Sequence, residues 1–496
     1  MKKKNEKTIF KLIILENKKI INHIFNQYNF INYNYNNKIK INFFQKLLIF
    51  SIIFIICIKK KKNITYKYDS ELNNNYLKIQ FDLNLSFNNL LKKKINIAIY
   101  YKSIKNGGIE RLVSLLINYF GNINIFNTFL LTQEKKDENE YKIPTNTKRI
   151  IIKKNKNNDL IRVLKNERID IFIYNFYYKF EIEALNNLKT TKTIFYNHSC
   201  FLIWIYGNAY SLFRTLYNSY KKSKYIISLI PFENSYLFKK WGINSILMNN
   251  FLTYEYNSII PSDLSSKTIL MVGRADDKLK RFELGVESMK YIIKEIPEVN
   301  MKIISDLIYI EHLKELVNSL NLNNNVEFIG YTSIPEIYFK NASLHIFPSI
   351  CESFGLVLGE TKLFGIPNIL IGLDYVSMAK GGTVIIYEDN SEFIANEAIK
   401  ILKDERYRKK LGKEARKSMK KFNNELLLKK WIKLVLSIYN GDVYYENLRE
   451  EGQKISKIEA IKILKNQVKL LKKRNINITN ITVKNIENFT YMQNLG

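Results

Sequence analysis

From Lys94 onward the apolar residues fall into short β-branched runs that alternate with amphipathic stretches. Ile95–Tyr101 (INIAIYY) reads as a buried strand. Gly107–Phe120 (GGIERLVSLLINYF) reads as a glycine loop and then a helix, with Ile109, Leu112, Leu116 and Tyr119 on one stripe. Further strands are predicted at Asn127–Thr132, Arg149–Lys154, Ile169–Phe176, Lys192–His198 and Lys224–Ile230. The polar stretch Thr253–Lys267, with Pro261 and several serines, interrupts this rhythm and reads as a linker. Beyond it the alternation restarts, with strands at Thr268–Arg274, Met301–Asp306, Val326–Tyr331, Ser343–Ser349, Asn368–Leu373 and Thr383–Asp389. Helices are predicted at Arg281–Ile296 and Ile310–Leu322 among others. Such β-α alternation predicts an α/β chain of two doubly wound parallel sheets, residues 95–252 and 268–420, joined by 253–267. Residues 421–440 are predicted to form a helix that packs back on both, through Leu427, Trp431, Leu434 and Ile438. Residues 441–496 form a charged helical tail to which no function is assigned. Two such sheets offer one place for chemistry, the cleft between the C-terminal edges of their strands.

Residues 1–94 lack this rhythm and are rich in Asn, Lys, Ile and Tyr. They contain an uncharged run from Leu47 to Ile58, followed by four lysines at Lys59–Lys62. Extended back to Phe43 the run has 16 residues, against the ~20 that a spanning helix wants, and admits Gln45 and Lys46. Segment 43–58 is read as one membrane anchor, with a buried or interfacial helix as the competing reading. The flanking lysines then put the C-terminal bulk in the cytosol, and a soluble cytoplasmic chain is the alternative.

Composition adds little to function. The 496 residues carry a net charge of +32, which either attracts anionic partners or reflects a bias toward Lys, Asn, Ile, Tyr and Phe. The lysines are spread along the chain without a nucleic-acid module, so nucleic acid is not an expected partner. The three cysteines, Cys57, Cys200 and Cys351, show no metal-ligand spacing and fit a reducing compartment.

Four places could carry chemistry. Gly107 and Gly108 open a helix after the first strand, where backbone N–H groups can approach an anion. Arg274 and Lys280 leave the first strand of the second domain, where two fixed cations suit a pyrophosphate, unless the loop is merely solvated. Phe347–Thr361 (FPSICESFGLVLGET) is the sharpest feature: Glu352 lies in the loop after a strand, and a helix starting near Gly355 carries Glu360 about 7–8 Å along its axis. The pair could clamp a nucleotide sugar, with Glu360 at its ribose, or be two surface charges. His198 closes a first-domain strand, as a cleft residue or a structural one.

Taken in order, GGIER, NHS, GRADDKLKR, VEFIGYTS, ASLHIFPSICESFGLVLGETKLFGIPNIL and GGTVIIYEDN resemble the family 4 retaining glycosyltransferases. The resemblance covers about Lys94 to Tyr439 and is stronger in the second half. It implies the GT-B architecture, two Rossmann-like domains facing a cleft, here behind an N-terminal hydrophobic segment. It implies transfer of a hexose from a nucleotide diphosphate sugar to an acceptor hydroxyl, without a metal or other cofactor. The acceptor would be a glycan or lipid-linked, and the enzyme membrane-associated. Gly107 and Gly108 would lie near the donor phosphates, His198 would face the transferred sugar, and Arg274 and Lys280 would bind the diphosphate. Glu352 would sit beside the hexose, Ser353, Phe354, Gly355 and Leu356 would line the donor, and Glu360 would bind the ribose. His198, Glu352, Arg274 and Lys280 are thus the catalytic candidates. Two departures stand out. Lys280 is six steps from Arg274 where five are usual, with Lys278 the alternative and Arg281 where glycine is common; and GLDYVSMAKGG replaces a shorter glycine turn. The rival reading is a catalytically silent sugar-nucleotide or glycan-binding subunit at a membrane.

Overall fold

The computed structural model describes residues 93–441, apart from 106, 154–156, 176–184, 186–187, 189, 201–218, 235–236, 238–241, 276–278 and 307–309, together with most of 462–470. All of these lie in one compact unit, Asn73–Gly496. The apolar segment 43–58 and Lys278 fall outside the described residues. Among the described residues no helix is long and apolar enough to cross a membrane.

Two parallel sheets form the framework. In the first, β1 (Ile95–Tyr100), β2 (Phe126–Thr132), β3 (Lys148–Ile151), β4 (Ile171–Tyr174), β5 (Lys192–Tyr196), β6 (Tyr225–Ser228) and β7 (Ile246–Leu247) lie in the order β3-β2-β1-β4-β5-β6-β7. In the second, β8 (Thr268–Val272), β9 (Asn300–Ile304), β10 (Val326–Phe328), β11 (Leu344–Phe347), β12 (Asn368–Ile371) and β13 (Thr383–Ile386) lie in the order β10-β9-β8-β11-β12-β13. Both orders reverse between the first and fourth strands, which is the doubly wound pattern with its crevice at that switch point. The central strands are buried on both faces: every residue of β4, β6, β11 and β12 is buried, including Ser228, His345 and Asn368.

The helices are α1 (Gly108–Gly121), α2 (Asn157–Asn166), α3 (Phe282–Glu295), α4 (Glu311–Ser319), α5 (Glu336–Phe339), α6 (Leu356–Leu363), α7 (Ser391–Lys403), α8 (Glu405–Ser418) and α9 (Asn424–Asn440). Asn390, Asp404 and Asn423 cap α7, α8 and α9 by accepting from backbone N–H groups two or three residues on, which fixes where those helices begin. Most predicted strands extend two or three residues too far at their C-terminal ends. Those residues, among them Arg274, Ser349 and Asp389, are the loops that build the cleft. β7 was not foreseen, because two ladder residues give no periodicity to read.

The domains are held together by side-chain contacts as well as by the linker. Trp431 of α9 is fully buried and meets Phe120 and Tyr196 of the first domain edge-on, with ring centroids 5.9 and 5.3 Å apart. The linker is itself bonded to both sides. Glu255 accepts from Tyr119 Oη (3.0 Å) and Asn424 Nδ2 (3.0 Å), Tyr254 Oη donates to Glu336 (2.8 Å), and Ser262 Oγ donates to the Ala342 carbonyl (2.7 Å).

Candidate active site

The switch points of the two sheets face the same region, and the loops leaving them carry the charged side chains. After β1, Gly107 is the extended N-cap of α1. A Cβ at Gly107 would lie inside the Glu110 carboxylate, so that carboxylate folds back over the glycine at the helix start. Burial holds the Glu110 carboxyl above its usual range, against a hydrogen bond from its own backbone N–H and the Arg274 charge. A Cβ at Gly108 would stand 3.9 Å from Leu356 Cδ1, so the glycine loop lies against the start of α6.

The loop after β11 is the densest part. Glu352 forms an ion pair with Lys280, whose ammonium also stands 5.8 Å from the centre of the Phe347 ring. The backbone N–H of Ile350 donates to Leu279 O at 2.8 Å, which fastens the loop after β8 to the loop after β11. Tyr375 Oη accepts from the Glu352 N–H at 3.1 Å; it comes from the stretch Gly372–Gly382 that departs from the family pattern. Ser353 is half-buried, and Phe354 is buried edge-on against Phe422. Gly355 caps α6 at φ 75°, ψ 63°, the left-handed region that a side chain would strain. Arg274 is exposed at the end of β8. Arg281, where glycine is usual, also takes left-handed backbone (φ 54°, ψ 48°), and its guanidinium pairs with Asp389 beyond β13. The substitution therefore keeps the turn and adds a tie across the sheet edge.

Glu360 lies within α6 and is 1% exposed. Its Oε1 accepts from Arg111 Nη1 of α1 at 3.1 Å and from Thr253 Oγ1 of the linker. Burial pulls the Arg111 pKa down, but the Glu360 carboxylate together with Tyr141, Tyr254 and Tyr331 brings it above its ordinary value.

His198 follows β5 and is 7% exposed. Its Nε2 lies 2.8 Å from Asn175 Oδ1, at the end of β4. Asn175 Nδ2 donates to the Tyr100 carbonyl at 3.1 Å, which fixes the orientation of that amide. Nε2 therefore carries the proton and donates, leaving Nδ1 as a bare acceptor with no partner among the described residues. Burial pushes the imidazole pKa down to about 3, so the ring is neutral near pH 7.

The loops thus bring Gly108 to Leu356, Lys280 to Glu352, and Arg111 to Glu360. Arg111, Thr253, Tyr375 and Asn175 were missed from the sequence. Only Arg111 carried a visible signal there, its place just beyond the two glycines of GGIER.

Residues 255–418 match the family model of the glycosyl transferases group 1. The chain is 28% identical over 186 residues to a poly(glycerol-phosphate) alpha-glucosyltransferase of Bacillus subtilis, a match covering 37% of this chain and 26% of that protein. It is 30% identical over 196 residues to an uncharacterized glycosyltransferase of Haemophilus influenzae, covering 38% and 53% of the two chains. Those matches span about a quarter and about half of the relatives' own lengths. In fold, the chain is similar to sucrose-phosphate synthase from Thermosynechococcus elongatus, with a TM-score of 0.59, 16% identity, and 70% of this chain and 100% of that one covered. The two-sheet architecture of the group 1 domain and its partner is thus GT-B-like.

Proposed function

We propose that the chain is a retaining, metal-independent glycosyltransferase that moves a hexose from a nucleotide diphosphate sugar to an acceptor hydroxyl, in the synthesis of a glycan, glycolipid or polysaccharide. The observation that carries this reading is the layout along α6. Glu352, ion-paired to Lys280, precedes the helix start at Gly355, and Glu360 lies one turn inside it. A nucleotide sugar laid along that line meets a carboxylate at its hexose, a positive helix end and two cations at its diphosphate, and a carboxylate at its ribose.

In the reaction the bond from the anomeric carbon to the diphosphate breaks while a bond to the acceptor oxygen forms on the same face. The acceptor proton passes to a departing phosphate oxygen. Arg274, Lys280 and the N–H groups at the start of α6 stabilise the growing charge on the diphosphate. Lys280 has three N–H donors, so its bond to Glu352 leaves two for phosphate. His198, neutral and accepting at Nδ1, takes a hydrogen bond from a hydroxyl of the transferred sugar rather than a proton in catalysis.

The test is transfer by purified protein from a panel of nucleotide diphosphate sugars to glycan and lipid-linked acceptors. Retained anomeric configuration, activity in saturating EDTA, and loss of transfer in Glu360→Ala support the proposal. Inversion refutes retention, abolition by EDTA refutes metal independence, and undiminished transfer by Glu360→Ala refutes the placement of the donor. The anchor at 43–58 belongs to the same proposal; recovery of the full chain free of membranes after fractionation rules it out.

A further inference from the structure

We infer that Arg111 of the first domain is a positioning residue for donor recognition: it holds the Glu360 carboxylate in the plane that grips the ribose, so that donor affinity depends on contact between the two domains. This rests on the reading of Glu360 as the ribose group given above. Glu360 is among the few buried carboxylates of the second domain, and a buried carboxylate must be paired or lose its charge. Its pairing is supplied from outside that domain. Oε1 accepts from Arg111, which α1 carries across from the first sheet, and from Thr253 of the linker. Among the described residues Oε2 accepts no side-chain hydrogen bond, which leaves it as the oxygen for a ribose hydroxyl.

The geometry gives Arg111 little freedom to do otherwise. Its side chain is 23% exposed, its guanidinium stands 5.9 Å from the centre of the Tyr141 ring, and it is fixed in direction by a helix whose inner face is buried. A planar guanidinium sets the orientation of the carboxylate it meets, as an ammonium does less well. α1 begins at the same glycine loop that lies against Leu356. Approach of the first domain to α6 therefore seats the loop and orients Glu360 in one movement.

The test measures the affinity of full-length protein for UDP, GDP and ADP and for their 2′-deoxy counterparts by calorimetry. The proteins are wild type, Arg111→Met, Arg111→Lys and Glu360→Gln. For whichever ribonucleotide wild type binds, Arg111→Met is expected to weaken binding at least about tenfold, while Arg111→Lys recovers part of the loss. The 2′-deoxy nucleotide is expected to bind wild type and Arg111→Met nearly equally. With a donor sugar, the loss in Arg111→Met appears in KM more than in kcat. An equal loss for ribo- and deoxynucleotide, in Arg111→Lys as well, overturns the inference, because the damage then does not pass through the ribose. Wild-type affinity in Arg111→Met overturns it too. Weakened ribonucleotide binding in Glu360→Gln with none in Arg111→Met refutes the positioning role alone, whereas no weakening in Glu360→Gln refutes the ribose reading beneath it.

Discussion

Lys362 is an ammonium with no exposed surface, on the helix that carries Glu360. Its Nζ donates to the carbonyl oxygens of Met378 and Lys380, the latter at 2.9 Å, and so ties α6 to the stretch that supplies Tyr375. Burial, helped by the charge of Lys421, pushes its pKa from 10.5 down to about 7. The unfolded chain holds this proton up to about pH 10.5, the folded chain only to about 7. Between those values the unfolded state binds more protons, so the stability gained is fully present above 10.5 and is lost as pH falls through about 7. At about 1.36 kcal/mol per pH unit, the part of this window between pH 6 and pH 9 amounts to about 2–3 kcal/mol. The perturbation is Lys362→Met, which removes the titration while nearly conserving volume. Urea unfolding of wild type and variant, followed by tryptophan fluorescence at each pH, gives the difference in unfolding free energy. Wild type is expected to gain about 2–3 kcal/mol on the variant from pH 6 to pH 9. Parallel stability curves for the two proteins would refute the reasoning, since the lysine would then titrate alike folded and unfolded.

With its pKa near 3, His198 contributes no limb to the pH profile of kcat/KM between pH 5 and 9. His198→Asn is expected to lower kcat about tenfold or more without changing the profile's shape, and an acid limb that vanishes in the variant would show a titrating imidazole instead. Gly382 has φ +63°, and a Cβ there would meet Leu411 O at 2.2 Å and Ala415 N at 2.3 Å, both backbone atoms of α8. Gly382→Ala should therefore cost about 3 kcal/mol or more, read as a fall in Tm by calorimetry; an unchanged Tm would mean that α8 can shift at no cost.

The two sheets were legible because their evidence is local. The β-branched runs of β1, β4 and β8 announce strands, and the stripe of Leu112, Leu116 and Tyr119 announces α1, whatever the rest of the chain does. The helix start at Gly355 was legible for the same reason, since a Phe-Gly step after a Pro-Ser stop is punctuation that adjacent residues define. The strand ends were overrun because apolar loop residues such as Leu229 and Ile230, at 1% and 0% exposure beyond the end of β6, resemble strand residues in sequence. Spacing also placed Glu352 and Glu360 on either side of a helix start but gave neither its partner. Glu352 looked free to meet a hexose, and the structure shows it already paired to Lys280.

The sequence by itself determined two doubly wound domains, a linker between them and the order of the loops at each sheet edge. Hydrophobic periodicity and turn chemistry are set by neighbours a few residues apart. Only the tertiary structure decided which charges meet and which tautomer His198 holds. Arg111 and Glu360 are 249 positions apart, and no pattern along the chain records that they touch. The orientation of His198 follows from Asn175, itself fixed by the Tyr100 carbonyl 75 positions away. Both depend on the packing of sheets and helices, because a buried polar group takes its partner from whatever the fold brings within hydrogen-bond distance.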